Sequence, residues 1–196
     1  MNLTREEARH RSEIIKVERY HVRIDVRGAD ADGATHFTSN TRVRFSTTEP
    51  DTFLDLLDGE IESVIVNGEE VEPEYDGSRI QLHGLHTHRE NLVIVTAKLP
   101  YQHTGQGLHR FVDPADGKVY LYTHFEAADS RRMYSVFEQP DLKAHVDFDV
   151  IAPSDWRVAS NQVHEDIREE EDGLLHDFAL TPVSYTHLRA HETRED

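Results

Sequence analysis

An antiparallel all-β domain with one short helix at its N-terminus is the fold class this sequence predicts. Three observations lead to it. Apolar residues alternate with polar ones at a period of two, as where Tyr20, Val22, Ile24 and Val26 interleave with His21, Arg23, Asp25 and Arg27. Turn chemistry recurs between such runs, with Asp32-Gly33, Asn67-Gly68, Asp76-Gly77 and Asp172-Gly173. Helical signals are confined to the start, before about residue 15.

Taking the elements in order, Thr4 with Glu7 three residues on reads as a capping box, so a helix starts near Arg5. The strand Tyr20 to Val26 follows, then Phe37, Thr41, Val43 and Phe45. Ile61 to Val66 runs into Asn67-Gly68, whose two central residues suit a type I′ hairpin because both tolerate positive φ. Arg79 to Leu82 is a short strand. Leu92 to Leu99 is nearly continuous in apolar residues, which predicts a central strand covered on both faces, ended by Pro100. Val146, Phe148 and Val150 alternate with His145, Asp147 and Asp149, which reads as a further strand. Arg157 to Ala159 and Leu174 to Leu180 read as further strands. Glu165 to Asp172 is almost wholly charged and reads as a solvated loop or hairpin tip. Pro140 to Lys143 suits one helical turn. Many short strands of this kind make a sandwich or a barrel.

The chain has 196 residues, enough for one domain with a sizeable core, and no internal repeat. It has no cysteine, so disulfides and thiolate metal sites are ruled out, and a cytosolic setting is consistent with that. With 38 acids against 21 bases the net charge is −17, which argues against a nucleic-acid partner. No apolar run has the length of a membrane span, and the charged start lacks a signal core.

The candidate site lies in Tyr120-Leu121-Tyr122-Thr123-His124-Phe125-Glu126-Ala127-Ala128-Asp129-Ser130-Arg131-Arg132, followed by Phe137-Glu138-Gln139-Pro140-Asp141-Leu142-Lys143. On a strand, residues two apart share a face at intervals of roughly 6.5 to 7 Å. Tyr122, His124 and Glu126 therefore form one wall, with Leu121 and Phe125 turned to the core. A carboxylate at a strand end accepts charge-assisted hydrogen bonds from an ammonium group, more strongly when a neighbouring body shields it. An exposed glutamate with no ligand is the commoner outcome for such a residue.

These segments resemble the N-terminal domain of the M1 zinc aminopeptidases, the aminopeptidase N family. The resemblance runs from about Tyr20 to Leu180 and also rests on Phe53-Leu54-Asp55-Leu56, Val64 to Gly68, Gly107-Leu108-His109-Arg110-Phe111 and Ala152-Pro153-Ser154-Asp155-Trp156. It implies a β-sandwich or saddle-like domain over residues 16–182, preceded by a helical segment over 1–15. It implies that Glu126 binds the α-amine of a peptide and that His124, where the family commonly has Gln, lines the substrate wall. The partners it implies are peptide N-termini and the catalytic domain of the same polypeptide, in a cytoplasmic enzyme. The alternative from another class is a non-catalytic β-sandwich module that binds peptides or sugars.

The family's cofactor is zinc, held by His-Glu-x-x-His on a later domain. Here His164-Glu165 is followed by Arg168, and His191-Glu192 by Glu195, in the place of the second imidazole. No catalytic or metal-ligating residue is therefore assigned to this chain, which is expected to be inactive alone. Residues 183–196 depart from the family and resemble a sequence recurring at the ends of unrelated translated frames, so they read as foreign. His83, His86 and His88 read as a polar hairpin loop rather than a metal cluster. Gly105-Gln106-Gly107 lacks the Gly-Lys that completes a phosphate loop, and Ser130 and Ser135 lack a nucleophile elbow.

Overall fold

The computed structural model describes residues 3–181. Helix α1 (Arg5–Ile14) begins where the capping box requires: the Glu7 N–H donates to Thr4 Oγ1 at 3.2 Å, and the Thr4 N–H donates to Glu7 Oε2 at 2.8 Å. Thirteen strands follow among the described residues. Eight of them form one sheet, in the order β12 (His164–Glu170), β13 (Gly173–Phe178), β11 (His145–Ala152), β1 (Ile15–Asp25), β2 (His36–Thr47), β8 (Asn91–Pro100), β4 (Glu60–Val66) and β5 (Glu69–Val71). Every neighbouring pair is antiparallel except β1 with β11, which run parallel. The sheet is open, not a barrel.

A second sheet of β3 (Thr52–Asp55), β7 (Arg79–Leu82) and β6 (Glu74–Tyr75) contributes Leu54, Ile80 and Leu82 to the core that the large sheet also fills. The third is the hairpin β9 (Gly107–Val112) and β10 (Val119–His124). One core joins them. Phe45 of β2 meets Phe137 edge-on with ring centroids 5.0 Å apart, and the Tyr20 hydroxyl of β1 accepts a 3.0 Å hydrogen bond from the Phe137 N–H. In β1 a bulge between Val17 and Arg19 shifts the alternation by one residue, so Ile15, Val17, Tyr20, Val22 and Ile24 all point inward. Asn67 and Gly68 both take positive φ, 54° and 93°, as the hairpin between β4 and β5 requires.

Three sequence expectations change. Residues 164–170 form strand β12, exposed along its whole length, where a loop was expected; it is an edge strand held by β13, and its charges keep the edge from pairing further. Residues 157–159 pair with no strand and are irregular. Strand β8 is central, between β2 and β4, but only the face of Val93, Val95, Ala97 and Leu99 is fully buried. Asp147 and Asp149 are buried, which Arg19, His21 and Arg23 of the parallel strand β1 make tolerable by standing opposite them. Pro140 to Leu142 make a turn closed by a 3.0 Å bond from the Leu142 N–H to the Gln139 carbonyl. The suspected foreign tail lies outside the described residues.

Candidate functional site

Hairpin β9–β10 carries the predicted wall. Its register sets His124 opposite Gly107, Tyr122 opposite His109 and Tyr120 opposite Phe111. Tyr120, Tyr122 and His124 share the solvent face, and the Tyr122 ring lies against His109 at 4.7 Å between centroids. The Gly105 N–H donates to His109 Nδ1 at 3.0 Å, so the proton of a neutral His109 is on Nε2. Leu121 and Phe125 point the other way and pack on the core, as the alternation predicts.

Glu126 follows directly beyond β10, and the peptide bond joining it to Ala127 is cis. Its side chain and that of His124 are exposed, and neither makes a hydrogen bond or ion pair among the described residues. Among the described residues nothing covers the Glu126 carboxylate. The shielding that would sharpen its attraction for an ammonium group needs a second body.

The turn that follows is braced from below by residues whose role the sequence did not suggest. A 3-10 turn spans Ser130–Arg132. Glu138 accepts from the Ser130 hydroxyl at 2.6 Å and from the Arg131 N–H at 2.7 Å, and its own N–H donates to Asp55 Oδ2 at 3.1 Å. Asp55 in turn receives both terminal nitrogens of Arg11, at 3.2 and 3.3 Å. The Arg11 guanidinium lies 4.2 Å from the Phe53 ring centroid and 5.3 Å from that of Phe137. Backbone bonds add to this: Asp55 and Val136 exchange two, and the Leu57 N–H donates to the Arg131 carbonyl at 2.7 Å. Burial pushes the Glu138 carboxyl up and the Arg11 guanidinium down from their ordinary values, the latter against the pull of Asp55. On the hairpin side, Arg132 pairs with Asp129 at 2.8 Å and with Asp58 at 3.5 Å. Helix α1, strand β3 and segment 130–139 thus form one brace beneath Glu126. Single acids and arginines scattered over more than a hundred positions carry no sequence pattern that would have revealed it.

A cavity of about 180 Å³ lies on the Thr123 side of β10, away from the face of Tyr122 and His124. Phe125, Tyr134, Val146, Phe148 and Phe178 wall it, with Asn161 among its polar residues. The cavity and the predicted wall are therefore two separate features. Among the described residues no group of three or more His, Cys, Asp or Glu is arranged to hold a metal, and no helix is long and apolar enough to cross a membrane.

The fold is an all-β domain: an open, antiparallel-dominated sheet with a side hairpin, followed by a turn that buried polar residues brace. Comparison with known proteins makes the class specific. Residues 18–188 match the family model described as the Peptidase M1 N-terminal domain, and the chain belongs to that family. It is 45% identical over 164 residues to the aminopeptidase N of Streptomyces lividans, an alignment covering 82% of this chain and 19% of that protein. It is 28% identical over 178 residues to a probable aminopeptidase 1 of Saccharolobus solfataricus, covering 88% of this chain and 21% of the relative. The chain thus spans about a fifth of the length of these relatives.

Proposed function

We propose that this chain is the substrate-anchoring and docking domain of a longer zinc aminopeptidase, which removes N-terminal residues from peptides. Glu126 receives the α-ammonium group of the peptide, and His124 lines the same wall. The observation that carries this reading is the placement of Glu126. It is an exposed carboxylate just beyond the end of β10, without a hydrogen bond or ion pair among the described residues, next to a turn held by a buried polar brace, in a chain whose relatives are aminopeptidases.

The rest of the polypeptide supplies two things. One is the wall that excludes water from Glu126. The other is the metal, which in this reading is bound by the rest of the polypeptide. The hairpin face that carries half-exposed Phe111, Tyr120 and Tyr122 is the docking surface, since large apolar side chains gathered on one face mark an interface.

The test uses the full-length enzyme that contains this domain. Glu126→Ala should lower kcat/KM for free-amine peptides by about 2 to 3 kcal/mol, the worth of a charge-assisted contact left unmade. Unchanged kcat/KM would refute the anchoring role. Glu126→Gln should fall between the two, since the amide oxygen still accepts.

A further inference from the structure

His176 is an imidazole without an adequate hydrogen-bonding explanation. It is only 4% exposed, and its Nε2 has no partner. Its one polar contact is at Nδ1, 3.3 Å from Nε2 of His164 on the neighbouring strand. That is longer than an ordinary N–H···N bond, and burying an imidazole for so little is unfavourable.

The same two rings fit another arrangement better. Two imidazole nitrogens bound at about 2.05 Å to a tetrahedral ion stand about 3.3 to 3.4 Å apart, with ring centroids about 5.2 Å apart. An in-line hydrogen bond of the same N···N length would set the centroids about 5.6 Å apart. Here the centroids are 5.3 Å apart.

We propose that His164 and His176 are two ligands of a divalent transition-metal site, for zinc or a similar borderline ion, that clips strand β12 to β13 at the sheet edge. Imidazole suits such ions, and a metal requires it neutral. The His164 ring packs on Phe178 at 4.3 Å, which fixes its direction, while the residue stays exposed and gives the ion a way in. Water completes the coordination. With two protein ligands and no acceptor on His176 Nε2, the site binds less tightly than a closed four-ligand one. This inference is independent of the aminopeptidase reading, since it uses neither Glu126 nor His124.

The experiment uses the purified chain, stripped of metal with a chelator and titrated with Zn²⁺ while the histidine ring nitrogens are followed by NMR. The His164 and His176 signals should move together and before the others, saturating at one equivalent. His164→Ala should weaken Zn²⁺ binding at least tenfold and leave the His176 signals still. Ring signals of this pair that stay fixed while zinc binds at other histidines would overturn the proposal, as would an affinity untouched by His164→Ala. If that substitution disturbs the hairpin, the titration of the unaltered chain decides alone.

Discussion

Arg11 of helix α1 and Asp55 of strand β3 form an ion pair at 3.2 Å in the interior, their side chains 3% and 2% exposed. Forty-four positions separate them in sequence, yet they join the first helix to strand β3, whose Asp55 also accepts from the Glu138 N–H in the segment beyond Glu126. Removing one partner leaves the other charge buried and uncompensated. Asp55→Ala should destabilise the domain by about 3 to 5 kcal/mol, read as a fall in the urea midpoint at unchanged m-value. Replacing both, as Arg11→Met with Asp55→Leu, should recover much of that loss. A double variant no more stable than the single one would show that the pair acts through its hydrogen bonds to Glu138 rather than through charge.

Acid sensitivity follows from two carboxylates. Burial by itself would push Asp147 up, but the hydrogen bonds from His21 and Arg19 overcome it and hold this carboxyl below its ordinary value. Glu7 is held at about 2, first by Arg79 and then by the Thr4 N–H. A depressed folded-state pKa contributes stability that is present above the unfolded value and lost as pH falls through the folded one. The domain should therefore lose stability below about pH 4.5, with Glu7 titrating toward about 2. Asp147→Asn should flatten this slope below about pH 4 in thermal melts taken across pH. An unchanged slope would exclude Asp147 as a contributor.

Gly107 is held to glycine by two constraints at once. Its φ is +57°, and a Cβ built there would lie 2.6 Å from the Arg132 Cβ, a distance at which something must shift. Because Gly107 pairs with His124, any shift separates β9 or moves the end of β10. Gly107→Ala should cost about 1 to 3 kcal/mol and broaden the NMR amide signals of residues 105–109 and 122–126. Gly117→Ala, also at positive φ (+71°) but in open space, should cost less, from the backbone conformation alone.

The legibility of this chain in its sequence divides along physical lines. Helix α1, the inward face of β1 and the Asn67-Gly68 hairpin depend on neighbours within a few residues, so their patterns stand in the sequence. The common face of Tyr120, Tyr122 and His124 on β10 was readable for the same reason, because the two-residue period alone puts them together. The burial of Asp147 and Asp149 was not legible, since nothing local shows that a parallel strand more than a hundred residues earlier brings Arg19, His21 and Arg23 opposite them. Strand β12 was missed because an edge strand needs no apolar face; it persists through its backbone ladder with β13. The brace under Glu126 was hidden for a further reason. Arg11, Asp55 and Glu138 are charged residues of the kind usually found at the surface, and only their three-way pairing makes burial tolerable.

That pairing can be probed at Glu138, the member nearest the proposed site. Its carboxylate caps the Ser130–Arg132 turn, accepting the Arg131 N–H at 2.7 Å and the Ser130 hydroxyl at 2.6 Å. Burial raises its pKa, so the protonated form is more accessible when folded than when unfolded. By linkage, that shift alone makes stability increase as pH falls from the folded value toward the unfolded one. Glu138→Ala leaves two donors unmatched in a part-buried place and should destabilise the domain by about 1 to 3 kcal/mol. Hydrogen exchange localises the effect: the Arg131 amide should lose its protection, while amides in the centre of β1 and β2 keep theirs. Glu138→Gln retains one acceptor oxygen and should restore most of the Arg131 protection. If Arg131 exchanges equally slowly in the alanine variant, the turn is held by the Leu57 bond to the Arg131 carbonyl and by β3 pairing, and Glu138 is not what positions it.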